Sequence, residues 1–277
     1  MPFITANKIK IYYEYLGNTD NEATTIILLG GLSRDHRIWH KVVPEFDSSL
    51  RILVMDNRGA GQSDKPDVPY SVEMMADDVI AVIENLKLHN VILVGHSMGS
   101  FIAGYVAAKR PDLLQHVILM SCALKQVDRA KTYLKNRINF VNKKLAMSSD
   151  STQVTTADRD DIKNTMPSIY SPDFLTPANQ EEILKWETSN PYPQPAHSFI
   201  RQAQACIDYD GTYILPTIKI PTTILYGKNE QMYTKEVSGE LASVIPGSQI
   251  IEIENAAHMI QIEQPKKIVQ CIHAIAN

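Results

Sequence analysis

The chain has 277 residues, 44% hydrophobic and 21% charged, a soluble globular composition too apolar and too weakly charged for disorder. With 27 basic against 31 acidic residues the formal net charge is -4, so no overall positive field exists to gather nucleic acid. The longest apolar runs, such as Ile26-Ile27-Leu28-Leu29 and Val91-Ile92-Leu93-Val94, are too short to span a bilayer.

In chain order, residues 1–5 lack the basic front and apolar stretch of a secretory signal, which leads to the expectation of a cytoplasmic protein. Residues 8–15 alternate as a strand, and residues 25–30, 51–56, 90–95 and 115–120 read as buried strands. Residues 71–87 are apolar at Val72, Met75, Val79, Val82, Ile83 and Leu86, a helical spacing, and residues 99–110 form a small-residue helix stopped by Pro111. After residue 120 the rhythm breaks. Residues 121–210 hold one amphipathic helix (Val127, Leu134, Ile138, Val141, Leu145), a Ser/Thr/Asp-rich stretch at 148–161, and a proline-rich piece at 191–195. Strands at 222–226 and 249–253 and helices at 235–244 and 264–276 then resume the alternation. The pattern predicts one α/β sheet built from residues 1–120 and 211–277, with a mainly helical insertion at 121–210. Three scattered cysteines, Cys122, Cys206 and Cys271, make no disulfide framework, and no metal cluster or nucleotide loop implies a cofactor.

Gly95-His96-Ser97-Met98-Gly99 has the form G-x-S-x-G and sits where a strand ends and a helix begins. A serine there rides a strained turn, and the helix N-terminus offers free N–H groups to a developing oxyanion. Ser97 needs a base, and the base needs an orienting carboxylate. Of the eight histidines, His258 is best placed, in the turn after the last strand, at the same end of the sheet as Ser97. His96 adjoins Ser97 but is expected to point elsewhere. Glu230, in the loop after the strand at 222–226, is the candidate acid; Asp208 and Asp210 are its rivals, expected at the wrong end of that strand.

With these segments, Asp56-Asn57-Arg58-Gly59-Ala60-Gly61-Gln62-Ser63-Asp64, Leu29-Gly30-Gly31-Leu32, Tyr226-Gly227-Lys228-Asn229-Glu230 and Ala256-Ala257-His258 also stand out. On them the chain resembles the α/β-hydrolase superfamily over nearly its full length. Gly30-Gly31 stands where that family usually has His-Gly, and Glu230 where Asp is commoner. The resemblance implies an oxyanion hole from the backbone N–H groups of Met98 and Leu32. A serine nucleophile argues against dehalogenase or epoxide-hydrolase chemistry, which uses an elbow aspartate. It implies a serine carboxylic-ester hydrolase, with acyl thioesters and carrier-protein-linked esters within its range. The alternative within the fold is a lactone or C–C bond hydrolase, since the N-terminal half also resembles enol-lactonases. A non-catalytic ligand-binding receptor is the alternative of another class.

The resemblance implies that the helical insertion at 121–210 is a cap over the active site, whose side chains usually set substrate choice. Trp39, Tyr133 and Trp186 are candidate pocket aromatics. Residues 125–144 carry Lys125, Arg129, Lys131, Lys135, Arg137, Lys143 and Lys144 against Asp128, while residues 150–210 hold ten acids and four bases. A basic helix of this kind is either a solvated face or a docking surface for an acidic acyl carrier, as in the resembling carrier-protein methyl ester esterases.

Overall fold

The structure is a computed structural model and describes residues 2–18, 20, 23–147 and 154–276. Its strands are β1 (Phe3–Ala6), β2 (Ile9–Gly17), β3 (Thr25–Leu29), β4 (Arg51–Met55), β5 (Val91–His96), β6 (Leu114–Met120), β7 (Thr222–Gly227) and β8 (Gln249–Ile253). They form an eight-stranded sheet in the order β1-β2-β4-β3-β5-β6-β7-β8. The pairs β1–β2 and β2–β4 are antiparallel and every other pair is parallel. The strands at the centre, β3, β4 and β5, are buried along their whole length, which is why they read as unbroken apolar runs rather than alternating ones. β1 is an addition to the seven expected strands. It joins β2 through Asn7 (φ 48°) and Lys8 (φ 68°), the double positive-φ turn that suits a two-residue hairpin.

Helices α1 (Val72–Asn85) and α2 (Met98–Lys109) pack on one face of the sheet. There they meet Ile27, Leu29, Leu53, Leu93, Val117 and Leu119. The other face, with Ile26, Leu28, Ile52, Val54, Ile92, Val94 and Ile118, is covered by α8 (Ile260–Glu263), α9 (Pro265–Ala276) and the turn His36–Trp39. Period-two alternation thus sorts each strand's residues between two apolar layers. The side chain of Ser71 caps α1 by accepting the Met74 N–H. Helix α7 (Lys235–Val244) links β7 to β8.

Between β6 and β7 lie α3 (Asp128–Met147), α4 (Thr156–Thr165), α5 (Pro177–Thr188) and α6 (Ala196–Ile207). α3 packs on α6 and α4 on α5. Lys125 bridges Asp210, and Leu124 O accepts the Gly211 N–H, so the chain leaves and returns at one neck. One of these helices, α3, was expected from periodicity. The other three carry few buried apolar residues apart from α6, and their stripes are too short to stand out. Of the polar stretch 148–161, residues 148–153 lie outside the described residues; Thr155 and Asp158 form a capping box that opens α4. Among the described residues no helix is long and apolar enough to cross a membrane.

Candidate active site

Ser97 stands between β5 and α2 at φ 53° and ψ -118°, a region that a side-chain-bearing residue enters only under strain. The glycines on either side make that turn sterically possible. A Cβ on Gly95 would lie 2.2 Å from Gly99 O, and one on Gly99 would lie 2.4 Å from Leu29 O, so a larger residue at either place collides with fixed backbone. The Ser97 N–H is tied to Met120 O at 2.9 Å, which anchors the turn to the next strand. The amides of Met98 and Leu32 donate to no acceptor among the described residues.

His258 and Glu230 come together across two loops. His258 Nδ1 lies 2.8 Å from Glu230 Oε2, and Glu230 Oε1 accepts the Met232 N–H at 2.9 Å. The loops are stitched by the Lys228 N–H to Ile253 O (2.9 Å) and the Asn229 N–H to Ala256 O (2.8 Å). Gly227 lets them approach: a Cβ there would sit 2.3 Å from Ala257 O. Both side chains are buried. Burial by itself would raise the Glu230 carboxyl, but the charge and hydrogen bond of His258 and the amide of Met232 outweigh it and hold the pKa below the usual value. Glu230 is therefore ionised at neutral pH, and Nδ1 of His258 carries the proton between them. Ser97 and His258 line one cavity. Among the described residues the bonded partner of the His258 ring is Glu230, and no hydrogen bond joins the ring to Ser97. Asp208 bonds Gln204 and Asp210 pairs with Lys125 where the helices between β6 and β7 begin and end, so neither rival acid is on His258.

The structure also shows a support that sequence reasoning missed. His96 is buried, with Nε2 2.8 Å from His258 O and the Gln261 amide 3.3 Å from its Nδ1. The carbonyl makes Nε2 the donor and the Gln261 amide makes Nδ1 the acceptor, so His96 is neutral; burial, followed by the charge of His258, pushes its pKa down to about 3. The Ser121 hydroxyl donates to the same carbonyl at 3.1 Å. Glu263 accepts the Ala257 N–H on Oε1 and the Ser171 N–H on Oε2, both at 2.9 Å, joining the His258 loop to the segment between β6 and β7. The signal for His96 was present: Ile92, Val94 and His96 share a face of β5, and that face looks toward α8.

The cavity measures about 130 Å³. Its apolar wall comes from Phe101, Leu134, Ile169, Phe199, Met232 and Met259, and its polar wall includes Arg34, Tyr133, Arg137 and Glu187. Of the three candidate aromatics only Tyr133 lines it. Trp39 is a correction: it is fully buried in the layer beneath the sheet, packed with Ile38 and Val42. Trp186 is another: it stacks on His40 at 5.9 Å outside the cavity, with Arg34 and Arg37 over its ring. An aromatic's spacing marks burial but not which cavity it borders. The basic segment needs correction too. Arg137 is ion-paired with Asp161 and Lys144 with Asp158, so neither belongs to a free surface; Lys125, Arg129, Lys135 and Lys143 are exposed, with Arg129 bonded to Gln231. Among the described residues Asp35, His36 and Asp56 have metal-ligand spacing, but Asp35 grips Arg37 and Asp56 accepts two backbone amides.

The alpha/beta hydrolase fold family matches residues 24–265 of this chain. The chain belongs to that family. A relative from Bacillus subtilis (strain 168), the AB hydrolase superfamily protein YisY, is 28% identical over 275 residues, covering 99% of this chain and 97% of its own. Among solved structures, the enol-lactonase from Burkholderia xenovorans LB400 superposes with a TM-score of 0.83 at 22% identity, over 99% of both chains. An esterase from Exiguobacterium antarcticum gives 0.79 at 23% identity, over 99% of this chain and 98% of its own. At these identities the structural likeness is one of fold.

Proposed function

We propose that this hydrolase cleaves small carboxylic esters through an acyl-serine intermediate, with Ser97 as nucleophile, His258 as base and Glu230 as orienting carboxylate. The observation that carries this reading is the buried His258–Glu230 pair, 2.8 Å apart, opening on the same cavity as a serine held in a strained strand-to-helix turn. In the reaction Ser97 Oγ attacks the ester carbonyl carbon while its proton passes to His258 Nε2. The carbonyl oxygen becomes an oxyanion facing the Met98 and Leu32 N–H groups. Glu230, already ionised, stabilises the imidazolium through Nδ1–H without taking the proton. Collapse breaks the bond to the alcohol oxygen, which leaves with the proton from Nε2. Water, deprotonated by the same nitrogen, then releases the acid and restores Ser97.

Lactones are a second reading, favoured by the likeness in fold to an enol-lactonase. The same steps open a ring when the leaving alcohol stays tethered. The deciding experiment is labelling with a fluorophosphonate followed by peptide mass analysis. A single adduct on Ser97, absent from S97A and H258A, is expected. Intact protein without an adduct would favour a non-catalytic binder. A panel of esters against lactones then assigns the bond.

A further inference from the structure

We propose that the cavity beside Ser97 holds a carboxylate-binding subsite centred on Arg34, so that the preferred substrates are short acyl esters or lactones whose acyl part carries a free carboxylate. The inference rests on the Ser97 reading above for the reaction, though not for the binding.

Arg34 follows the Gly30-Gly31-Leu32 segment after β3, two residues beyond the Leu32 amide, and lines the cavity with Ser97 and His258. A guanidinium presents five N–H donors in a rigid fork. Nη1 of Arg34 meets Glu187 of α5, and among the described residues no other protein acceptor takes its remaining donors. Burial works against the Arg34 charge, but the neighbouring Glu187 outweighs it and holds the pKa above the ordinary arginine value. Trp186 backs the fork, its ring centroid 5.7 Å from Cζ, which limits the orientations of the guanidinium. A second cation, Arg137 of α3, borders the same cavity, while its partner Asp161 lines the outer cavity next door. The inner cavity wall therefore carries two guanidinium groups, Arg34 paired with Glu187 from the same wall and Arg137 paired with Asp161 outside it.

A planar fork with open donors, its side chain 17% exposed, recognises a carboxylate in two-pronged fashion. The remaining wall, with Leu134, Ile169, Phe199 and Met232, suits a few methylenes. A cavity of about 130 Å³ accommodates a short chain. The ligand's carboxylate would share Arg34 with Glu187, which makes Glu187 the internal competitor.

The test separates binding from turnover. S97A protein is titrated calorimetrically with the monomethyl ester of glutaric acid and with its neutral isostere, in which an isopropyl group replaces the carboxylate. The acid is expected to bind roughly tenfold to a hundredfold tighter, the range of a charge-assisted hydrogen-bond pair. R34K, which keeps the charge and loses the fork, should lose about tenfold of that preference. E187Q, which removes the competitor and leaves an amide to accept from Arg34, should tighten the acid several-fold and leave the isostere behind. Thermal midpoints report whether each variant folds, and E187Q decides the matter should R34K fail to fold. Equal affinity for acid and isostere, or an acid affinity unmoved by E187Q, overturns the subsite. Failure of the ester reading looks different: the acid binds S97A as expected, yet the native protein neither hydrolyses it nor takes the fluorophosphonate.

Discussion

Replacing Glu230 by Gln keeps the shape of the side chain and changes which atoms it can accept on. The carboxylate takes two N–H groups at once, His258 Nδ1–H on Oε2 and Met232 N–H on Oε1. An amide has one oxygen. If that oxygen stays on Met232, its NH2 group faces Nδ1 and forces the imidazole proton onto Nε2, the tautomer unable to accept a proton from Ser97. If the amide flips, the buried Met232 N–H is left facing another donor, at about 1–3 kcal/mol, or roughly a tenfold to hundredfold depletion of the competent form. Loss of the negative charge beside the imidazolium adds to this. We expect kcat on a neutral ester to fall about a thousandfold to ten-thousandfold, the upper figure matching a carboxamide in a serine-protease triad. Stability supplies a second reading. The lowered Glu230 pKa contributes stability that is present above its unfolded value of 4.5 and is lost as pH falls through the folded value. The native protein and E230Q should therefore draw together in thermal midpoint in acid. Steady-state kinetics at pH 7 that leave E230Q within about threefold of native would refute the reasoning and assign the orienting role to another group.

Two further predictions concern the framework. Gly95→Ala places a methyl 2.2 Å from Gly99 O and should destabilise by about 3 kcal/mol or more, read from chemical denaturation midpoints; a midpoint equal to native would mean that the turn relaxes freely. His96 is neutral in the folded protein down to about 3, whereas the unfolded chain takes up a proton near 6.5, so the fold loses stability as pH falls across that window. His96→Gln removes this proton uptake and offers an amide donor toward His258 O, so its midpoint should decline less steeply than native between pH 6.5 and 3; parallel slopes would count against the assignment.

The strand runs, the elbow and the order Ser97, Glu230, His258 were legible in the sequence because each rests on local physics. Buried parallel strands need unbroken apolar runs, and a strand-to-helix turn this tight demands Gly95 and Gly99 close to the serine. Parallel strands also place the loops that follow them at one edge, so Ser97, Glu230 and His258 could be assigned to the same rim. What lies between elements in space left no such trace. The neutral tautomer of His96 depends on a carbonyl 162 residues away. Trp39 and Trp186 are equally aromatic in sequence, yet one sits beneath the sheet and the other behind Arg34. Likewise the basic segment on α3 reads as one charged stretch, although Arg137 and Lys144 fold inward onto acids of α4. Sequence determines what each segment must become; only tertiary packing decides which side chains share a cavity, because that depends on distances between residues the chain itself keeps far apart.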